Sequence, residues 1–242
     1  MDSARTSGGP ATRGLELTRE AARALDAAAQ MRYGVPGIVL MENAARGLAD
    51  LVRSVAGPVP GLPAADGRDG PILIVCGAGN NGGDGYAMGR HLANDGRQVA
   101  FVEVRPSRPG GDAAINAAIC RRMGCAILDL ASAPFTSASI LVDAVFGTGL
   151  DRPPAGPELE AIRRMNASGR PVVAVDLPSG IDNDRGEPLG EAVRATVTGV
   201  TVAPRPAMRL EPARGHFGRV AIIDIGSPAA LLREFGTPAT LG

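Results

Sequence analysis

Lysine is absent from this chain; all 25 of its basic residues are arginine. A Schiff-base lysine, an amine general base and the phosphate lysine of a Walker-type loop are therefore excluded. Histidine occurs twice, as His91 inside a helical stretch and His216 in the tail, and both read as surface or supporting residues rather than catalytic ones. Ser179, in "PSG", lacks the GxSxG elbow and has no well-placed histidine after it, so a Ser-His-Asp hydrolase is not expected. Cysteine is scarce as well. Cys76, Cys120 and Cys125 are too few and wrongly spaced for a zinc site or a disulfide framework, and they read as small core residues in a reducing compartment.

Neither sign of charge is in excess, with 25 acidic residues against 25 basic, and there is no long basic run, which argues against a nucleic-acid partner. No stretch reaches the ~18 apolar residues of a membrane span, and the opening "MDSARTSGGPATRG" is polar instead of basic and then apolar. A cytoplasmic protein without a membrane partner is the expectation.

The length suits one α/β domain. We expect a flexible tail over 1–15 and a single domain over 16–235. The stretch Leu17 to Met31 has helical composition with Thr18 as its cap, and Ile38 to Val55 repeats apolar residues at helical spacing. Pro, Gly and Asp over Gly57 to Gly70 mark a surface loop. Short apolar runs then alternate with amphipathic stretches: "ILIVC", "VAFVEV", "CAILDL", "ILVDAVF" and "PVVAVDL" against Asp84 to Asp95, Ala113 to Met123 and Glu158 to Asn166. That alternation predicts a mostly parallel sheet covered on both faces. Two further strand-like runs, "VTGVTVAP" and "GRVAIIDIG", extend the sheet at one edge, with an antiparallel addition as one option.

In such a sheet ligands sit beyond the carboxyl ends of the strands, and three strand ends here carry polar groups. "CGAGNNGGDG" follows the first core strand. Its Gly77, Gly79, Gly82, Gly83 and Gly85 are expected to make a sharp turn and let backbone N–H groups approach an anion at a helix N-terminus. A dinucleotide fingerprint at Gly77, Gly79 and Gly82 is a weak signal, with Glu103 the only candidate for its acidic ribose partner. Asn80, Asn81 and Asp84 exceed what a turn requires and suit hydroxyl and amide recognition or a weak cation site. "LVDAVFGTGLDRPP" ends a strand at Asp143 and follows it with a flexible loop in which Arg152 is the expected phosphate clamp, an ion pair with Asp151 or Glu158 being the alternative. "VVAVDLPSGID" places Asp176 at a third strand end, with Ser179 and Asp182 beyond it.

Together "LMENAARGLAD", "GAGNNGGDGYAMGRHL", "VDAVFGTGLDRPP" and "VDLPSGIDNDRG" resemble, in order, the motifs of the NAD(P)H-hydrate epimerase family, or YjeF N-terminal domain, over about Thr18 to Pro228. The resemblance implies a Rossmann-like three-layer αβα sandwich. It also implies an isomerase that interconverts the R and S forms of hydrated NADH and NADPH (NADHX and NADPHX) at nicotinamide C6, a cofactor repair. By the same resemblance Asn80, Asn81, Gly82, Gly83 and Asp84 bind the dinucleotide, and Gly147, Thr148, Gly149, Leu150, Asp151, Arg152 and Pro153 wrap its phosphate-bearing part. Asp176 faces the reacting end as the catalytic acid and base, and a potassium ion is held by Asn81, Asp143 and Ser179.

A carboxylate at a buried strand end is raised by desolvation and lowered by a nearby cation, and the residues alone leave open which dominates at Asp176. Relatives often carry "APKP" where this chain has "APRP", so Arg205 keeps the charge without the amine chemistry. Many are fused to a dehydratase, here expected to be a separate functional partner. Relatives commonly dimerise, and the Ile38–Val55 helix is a candidate face for a homodimer. The competing readings are a non-catalytic interaction scaffold, a use to which this domain is put in some eukaryotic proteins, and an ordinary nicotinamide dehydrogenase, for which no substrate half is visible.

Overall fold

The computed structural model describes residues 14–56 and 70–239. Residues 1–13 of the expected tail and residues 57–69 of the expected surface loop lie outside the described residues. The chain starts with β1 (Leu15–Glu16), α1 (Arg19–Tyr33) and α2 (Gly37–Ala56). Thr18 caps α1 as its composition predicts, its hydroxyl accepting from the Ala21 amide at 3.2 Å. Gly34 ends the helix in the left-handed region, at φ 66°, where a residue without a Cβ is unstrained.

Strand and helix then alternate: β2 (Ile72–Cys76), α3 (Asn80–Asn94), β3 (Val99–Glu103), α4 (Asp112–Arg122), β4 (Ala126–Leu128), β5 (Ile140–Ala144), α5 (Gly156–Ala167), β6 (Val172–Val175), β7 (Val197–Thr201) and β8 (Arg219–Ile223). The sheet has seven strands in the order β4-β3-β2-β5-β6-β7-β8, and every neighbouring pair is parallel. With both faces covered, its central strands read as unbroken apolar runs, and all five residues of β2 are buried. Ile72, Ile74 and Cys76 point into the core formed with α1 to α4, while Leu73 and Val75 point into the opposite core, closed by Ala161, Ile162 and Met165 of α5. The chain lays down β2, β3 and β4 outward, then returns to set β5 on the other side of β2. The order reverses there, and a crevice opens beyond the carboxyl ends of β2 and β5.

Three features depart from expectation. β7 and β8 pair in parallel, not antiparallel, because the connection between them holds two 3₁₀ turns, Pro206–Met208 and Ala213–His216, and carries the chain back to the start of the next strand. After β8, α6 (Ala229–Phe235) packs on α1, and β9 (Thr237–Pro238) pairs antiparallel with β1, so the two ends of the domain are tied together. Finally, the apolar face of α2, the candidate dimer face, is taken up inside the domain. Leu40, Met41, Ala44, Ala45, Leu48, Ala49 and Val52 are all buried within the domain, against α3 and the sheet. Among the described residues no helix is long and apolar enough to cross a membrane.

Close approach of α3 to the sheet depends on small residues. A Cβ added at Gly89 lies 2.4 Å from Phe101 Cζ and 2.6 Å from Ile74 Cδ1, inside the packed core. Gly89→Ala should therefore destabilise the protein by about 1–3 kcal/mol from overpacking, outweighing the ~1 kcal/mol that alanine gains over glycine in a helix. Urea denaturation with a lowered midpoint is the expected result.

Candidate active site

The glycine-rich stretch after β2 does two jobs, not one. Only Gly77 to Gly79 form the turn; α3 already begins at Asn80, so Gly82, Gly83 and Gly85 are helical residues with ordinary backbone angles. A Cβ on Gly82 meets the Gly77 carbonyl oxygen at 2.0 Å, and one on Gly85 meets the Ala144 Cβ at 2.7 Å. These glycines, expected as flexible turn residues, are there so that α3 can lie against its own turn and the neighbouring strand. Gly79 at the N-cap provides no capping side chain, which leaves the leading amides of α3 for a ligand. Asn80 is exposed at this end, while the Asn81 side-chain nitrogen is buried with no hydrogen-bond partner among the described residues. Glu103, the candidate ribose partner, is taken by the Tyr86 hydroxyl at 2.9 Å and by Arg121.

At the end of β5, Asp143 is completely buried. It accepts from the Ser179 amide at 2.7 Å, the Ser179 hydroxyl at 2.6 Å and the Val145 amide at 3.3 Å. Among the described residues no arginine is bonded to it. Burial pushes its carboxyl up to about 6, and the Ser179 and Val145 donors offset only part of that. Ser179 also binds the backbone of Phe146, accepting from its amide at 2.8 Å. One residue on, the place a Cβ on Gly147 would fill is 2.7 Å from Asp176 Oδ2 and 2.9 Å from Asn81 Oδ1. Only glycine allows Asn81, Asp176 and this loop to meet. The ends of β2, β5 and β6 are thus adjacent, with Asp143 bonded to Ser179 and Asn81 against the stretch that follows Phe146.

Asp176 ends β6 in a conformation an L-residue seldom takes, at φ 63°, with the Leu177 amide bonded across it to the Val175 carbonyl at 2.8 Å. Val202 repeats this γ-turn beyond the end of β7, at φ 65°, with Ala203 N to Thr201 O at 2.8 Å. Such turns are strained by about 1–3 kcal/mol each and persist only where surrounding contacts enforce them. The contacts are present. Asp176 Oδ2 accepts from the Thr148 amide at 2.8 Å and the Thr148 hydroxyl at 2.6 Å; Oδ1 accepts from Arg205 Nη2 at 3.0 Å and the Thr201 hydroxyl at 3.3 Å. Burial alone raises this carboxyl, but the Arg205 charge and the Thr148 donors outweigh it, and Asp176 is held below the ordinary carboxylate value. The balance left open by the residues alone falls to the ionised form.

Arg205 is itself 3% exposed and also donates to the Ala203 carbonyl at 2.9 Å and to Thr148 Oγ1 at 3.2 Å. From α1, Arg19 Nε donates to the Thr148 carbonyl at 3.1 Å and its Nη2 to Asp182 Oδ2 at 3.0 Å, while Arg23 reaches the Gly149 carbonyl at 3.3 Å. The loop from Gly147 to Pro153 is therefore clamped at Thr148 and Gly149, with Leu150 buried and Asp151, Arg152 and Pro153 exposed. Arg152 is paired with neither Asp151 nor Glu158; Glu158 is held by Arg105. His91 binds Glu42 at 2.8 Å and His216 the Val193 carbonyl at 2.9 Å, in supporting roles as expected.

Beside Arg205 lies a cavity of about 150 Å³. Leu25, Leu40 and Met41 line it on one side, and Asn80, Asp84, Asp112, Thr201, Arg205 and Asp26 supply its polar atoms. Burial drives the Asp84 carboxyl well upward, with Asp176 and Asp26 adding to the effect. Asp26, on α1, has no signal in the sequence, because a lone aspartate in an amphipathic helix looks like part of a solvated face. Arg205 stands out in the sequence only as a departure from the resemblance, and nothing local announces Arg19 or Thr201.

Removing Arg205 leaves a buried charge unpaired. Arg205→Met should destabilise the protein by about 3–5 kcal/mol near neutral pH. Because the Asp176 carboxyl is depressed in the folded state, its contribution is present above its ordinary value and is lost as pH falls through the folded value. That window lies below pH 4, so between pH 7 and pH 4 the change comes from the variant: without Arg205, burial is left to raise the Asp176 carboxyl, which takes up a proton as pH falls and removes the unpaired charge, so the deficit should shrink in acid. Urea denaturation of both proteins at pH 7 and pH 4 measures it, and an equal deficit at the two values would contradict this account.

A family model described as YjeF-related protein N-terminus matches residues 37–207. The chain is 39% identical to a Pirellula staleyi protein named NAD(P)H-hydrate epimerase, covering 89% of this chain and 94% of that one. It is 36% identical to a Rhodopirellula baltica protein of the same name, over 90% and 87%. A Moorella thermoacetica protein named bifunctional NAD(P)H-hydrate repair enzyme Nnr is 39% identical over 86% of this chain, which spans 40% of that longer protein. In fold the chain is similar to the crystal structure of yeast YNL200c, with a TM-score of 0.77 at 20% identity, covering 94% of this chain and 96% of the yeast one. The chain belongs to the YjeF-related protein N-terminus family.

Proposed function

We propose that this protein epimerises hydrated NADH and NADPH at nicotinamide C6, interconverting the R and S forms as a cofactor-repair isomerase. The observation that carries this reading is the ionised, fully bonded Asp176 at the switch-point end of the sheet, in a chain 39% identical over most of its length to a named epimerase. C6 of the hydrate bears both the ring nitrogen and the hydroxyl. The nitrogen lone pair expels the hydroxyl once the oxygen is protonated, leaving a planar iminium, and water returning from the other face inverts the centre. A cation therefore forms on the path, and the site answers it with Asp176, Asp84 and Asp26 gathered around the single guanidinium of Arg205. Asp176 contributes fixed negative charge opposite the cation; Arg205, Thr148 and Thr201, which occupy both its oxygens, keep it from being the proton donor.

The cavity beside Arg205 suits one ring and is smaller than the about 300–1,000 Å³ that encloses a drug-sized ligand. The remainder of the dinucleotide then lies outside it, along the open groove lined by Arg19, Glu20, Arg23, Ala24 and Asp184, against the Gly147–Pro153 loop. Exposed Arg152 is the phosphate clamp, and the leading amides of α3, with Asn80 and the unpaired Asn81 nitrogen, complete the recognition.

The potassium ion implied by the family resemblance fits the residues present. Among the described residues no cluster of three or more His, Cys, Asp or Glu is placed for a transition metal. Asn81, Asp143 and Ser179 instead offer amide, carboxylate and hydroxyl oxygens, and Asp143 is a fully buried carboxylate with no basic partner. Bound there, potassium would supply the missing positive charge and brace the ends of β5 and β6. A functional partnership with a NAD(P)HX dehydratase goes with the same reading.

Two measurements test it. Purified protein should equilibrate separated R and S NADHX without ATP, and Asp176→Asn should slow this by roughly 10²-fold or more; no acceleration by wild type over the spontaneous rate would favour an interaction scaffold. In a thermal melt, potassium chloride should raise the midpoint above that in tetramethylammonium chloride of equal ionic strength, and Asp143→Ala should abolish the difference.

A further inference from the structure

The epimerisation needs a proton donor for the departing hydroxyl, and the groups bonded to Asp176 do not provide one. Both Asp176 oxygens are occupied by donors. Arg205 stands where an amine would be able to release a proton, and a guanidinium keeps its own. The Thr148 hydroxyl is committed to Asp176, the two histidines are engaged elsewhere, and the chain has no lysine.

Three carboxyl groups that accept no hydrogen bond from any described residue line the same cavity: Asp112 at the start of α4, and the pair close enough to Asp176 to feel its charge, Asp84 from α3 and Asp26 from α1. Asp84 is the more enclosed. Asp26 is exposed at the mouth, where its carboxyl borders the cavity and exchanges protons with bulk water between turnovers. The charged groups around Asp26 come from each element that closes the cavity: Arg205 after β7, Asp176 after β6, Asp84 on α3 and Asp112 at the start of α4. A single cation among several carboxyls cannot keep them all ionised.

We propose that Asp26 is a catalytic residue of this reaction, handing its proton to the C6 hydroxyl as the C–O bond breaks and recovering one from the water that adds back. This rests on the epimerase reading above. In the forward half, the C–O electron pair goes to oxygen, which takes the Asp26 proton and leaves as water, while the nitrogen lone pair becomes the second bond of the iminium. In the return half, water attacks C6 from the opposite face, the iminium pair returns to nitrogen, and the surplus proton passes through water to the Asp26 carboxylate, restoring it. Nothing is oxidised or reduced and no co-reactant is consumed. Burial pushes the Asp26 carboxyl up to about 6, with Arg205 pulling it back and Asp176 pushing it further, so a protonated population exists at working pH.

The test is a pH series of R-to-S equilibration with purified protein, corrected for the spontaneous rate, on wild type, Asp26→Asn and Asp26→Glu. An acid that works protonated gives activity below its pKa and loses it above, so wild-type kcat/KM should decline as pH rises beyond about 6. Asp26→Asn should lower kcat by roughly 10²-fold with little change in KM, and should lack that alkaline decline. Asp26→Glu should restore much of the rate together with the decline. Wild-type kcat and profile in Asp26→Asn would overturn this inference and leave the epimerase reading standing; a wild type that does not accelerate epimerisation would overturn both. If Asp26→Asn fails to fold, loss of the alkaline decline in a folded Asp26→Glu decides against the inference.

Discussion

The buried ion pair between Asp176 and Arg205 is the constraint around which the site is arranged. Bringing two charges out of water is expensive, and a pair of this kind is tolerated only when the remaining donors and acceptors are satisfied too. Here they are: Thr148 and Thr201 complete the carboxylate, and the Ala203 carbonyl and Thr148 complete the guanidinium. Through these bonds one pair joins the ends of β6 and β7 to the loop after β5, and Arg19 extends the joint to α1 through the Thr148 carbonyl. The two γ-turns at Asp176 and Val202 are the local consequence. Their unfavourable backbone angles are held because relaxing either would break a bond to the pair.

Around that fixed centre the polar groups divide by environment. Asp176, bonded to a cation, stays ionised; Asp143, equally buried but facing only a hydroxyl and amides, is driven upward; Asp26 and Asp84, in a cavity with one arginine, are driven upward as well. One aspartate is thus held ionised while three are driven toward the protonated form, a division set by environment and not by side-chain chemistry. The guanidinium at position 205 sharpens the division, since it holds Asp176 ionised without serving as a proton source.

Small residues make this crowding feasible. Gly147 leaves room where Asn81 and Asp176 meet, and Gly82 and Gly85 let α3 lie directly on its turn and on the neighbouring strand. The glycine-rich stretch that reads as a flexible phosphate loop is mostly a packing surface, with only Gly77 to Gly79 forming the turn and Asn80 exposed beyond it.

The fold class, the strand ends and the motif set were legible in the sequence, because apolar runs alternating with amphipathic stretches admit few other architectures and because Asp143, Asp176, Ser179 and the "NNGGD" stretch stand within a few residues of those ends. Composition alone removed lysine chemistry. What the tertiary structure decided was everything that depends on distant parts of the chain meeting. It made β7 and β8 parallel, joined β1 to β9, turned α2 inward, and brought Asp26 and Arg205, far apart in the chain, to one cavity. It also decided the charge of Asp176, because that charge depends on how much water is excluded and which donors remain in its place, and those quantities exist only once the strands, the loop and the first helix have closed around it.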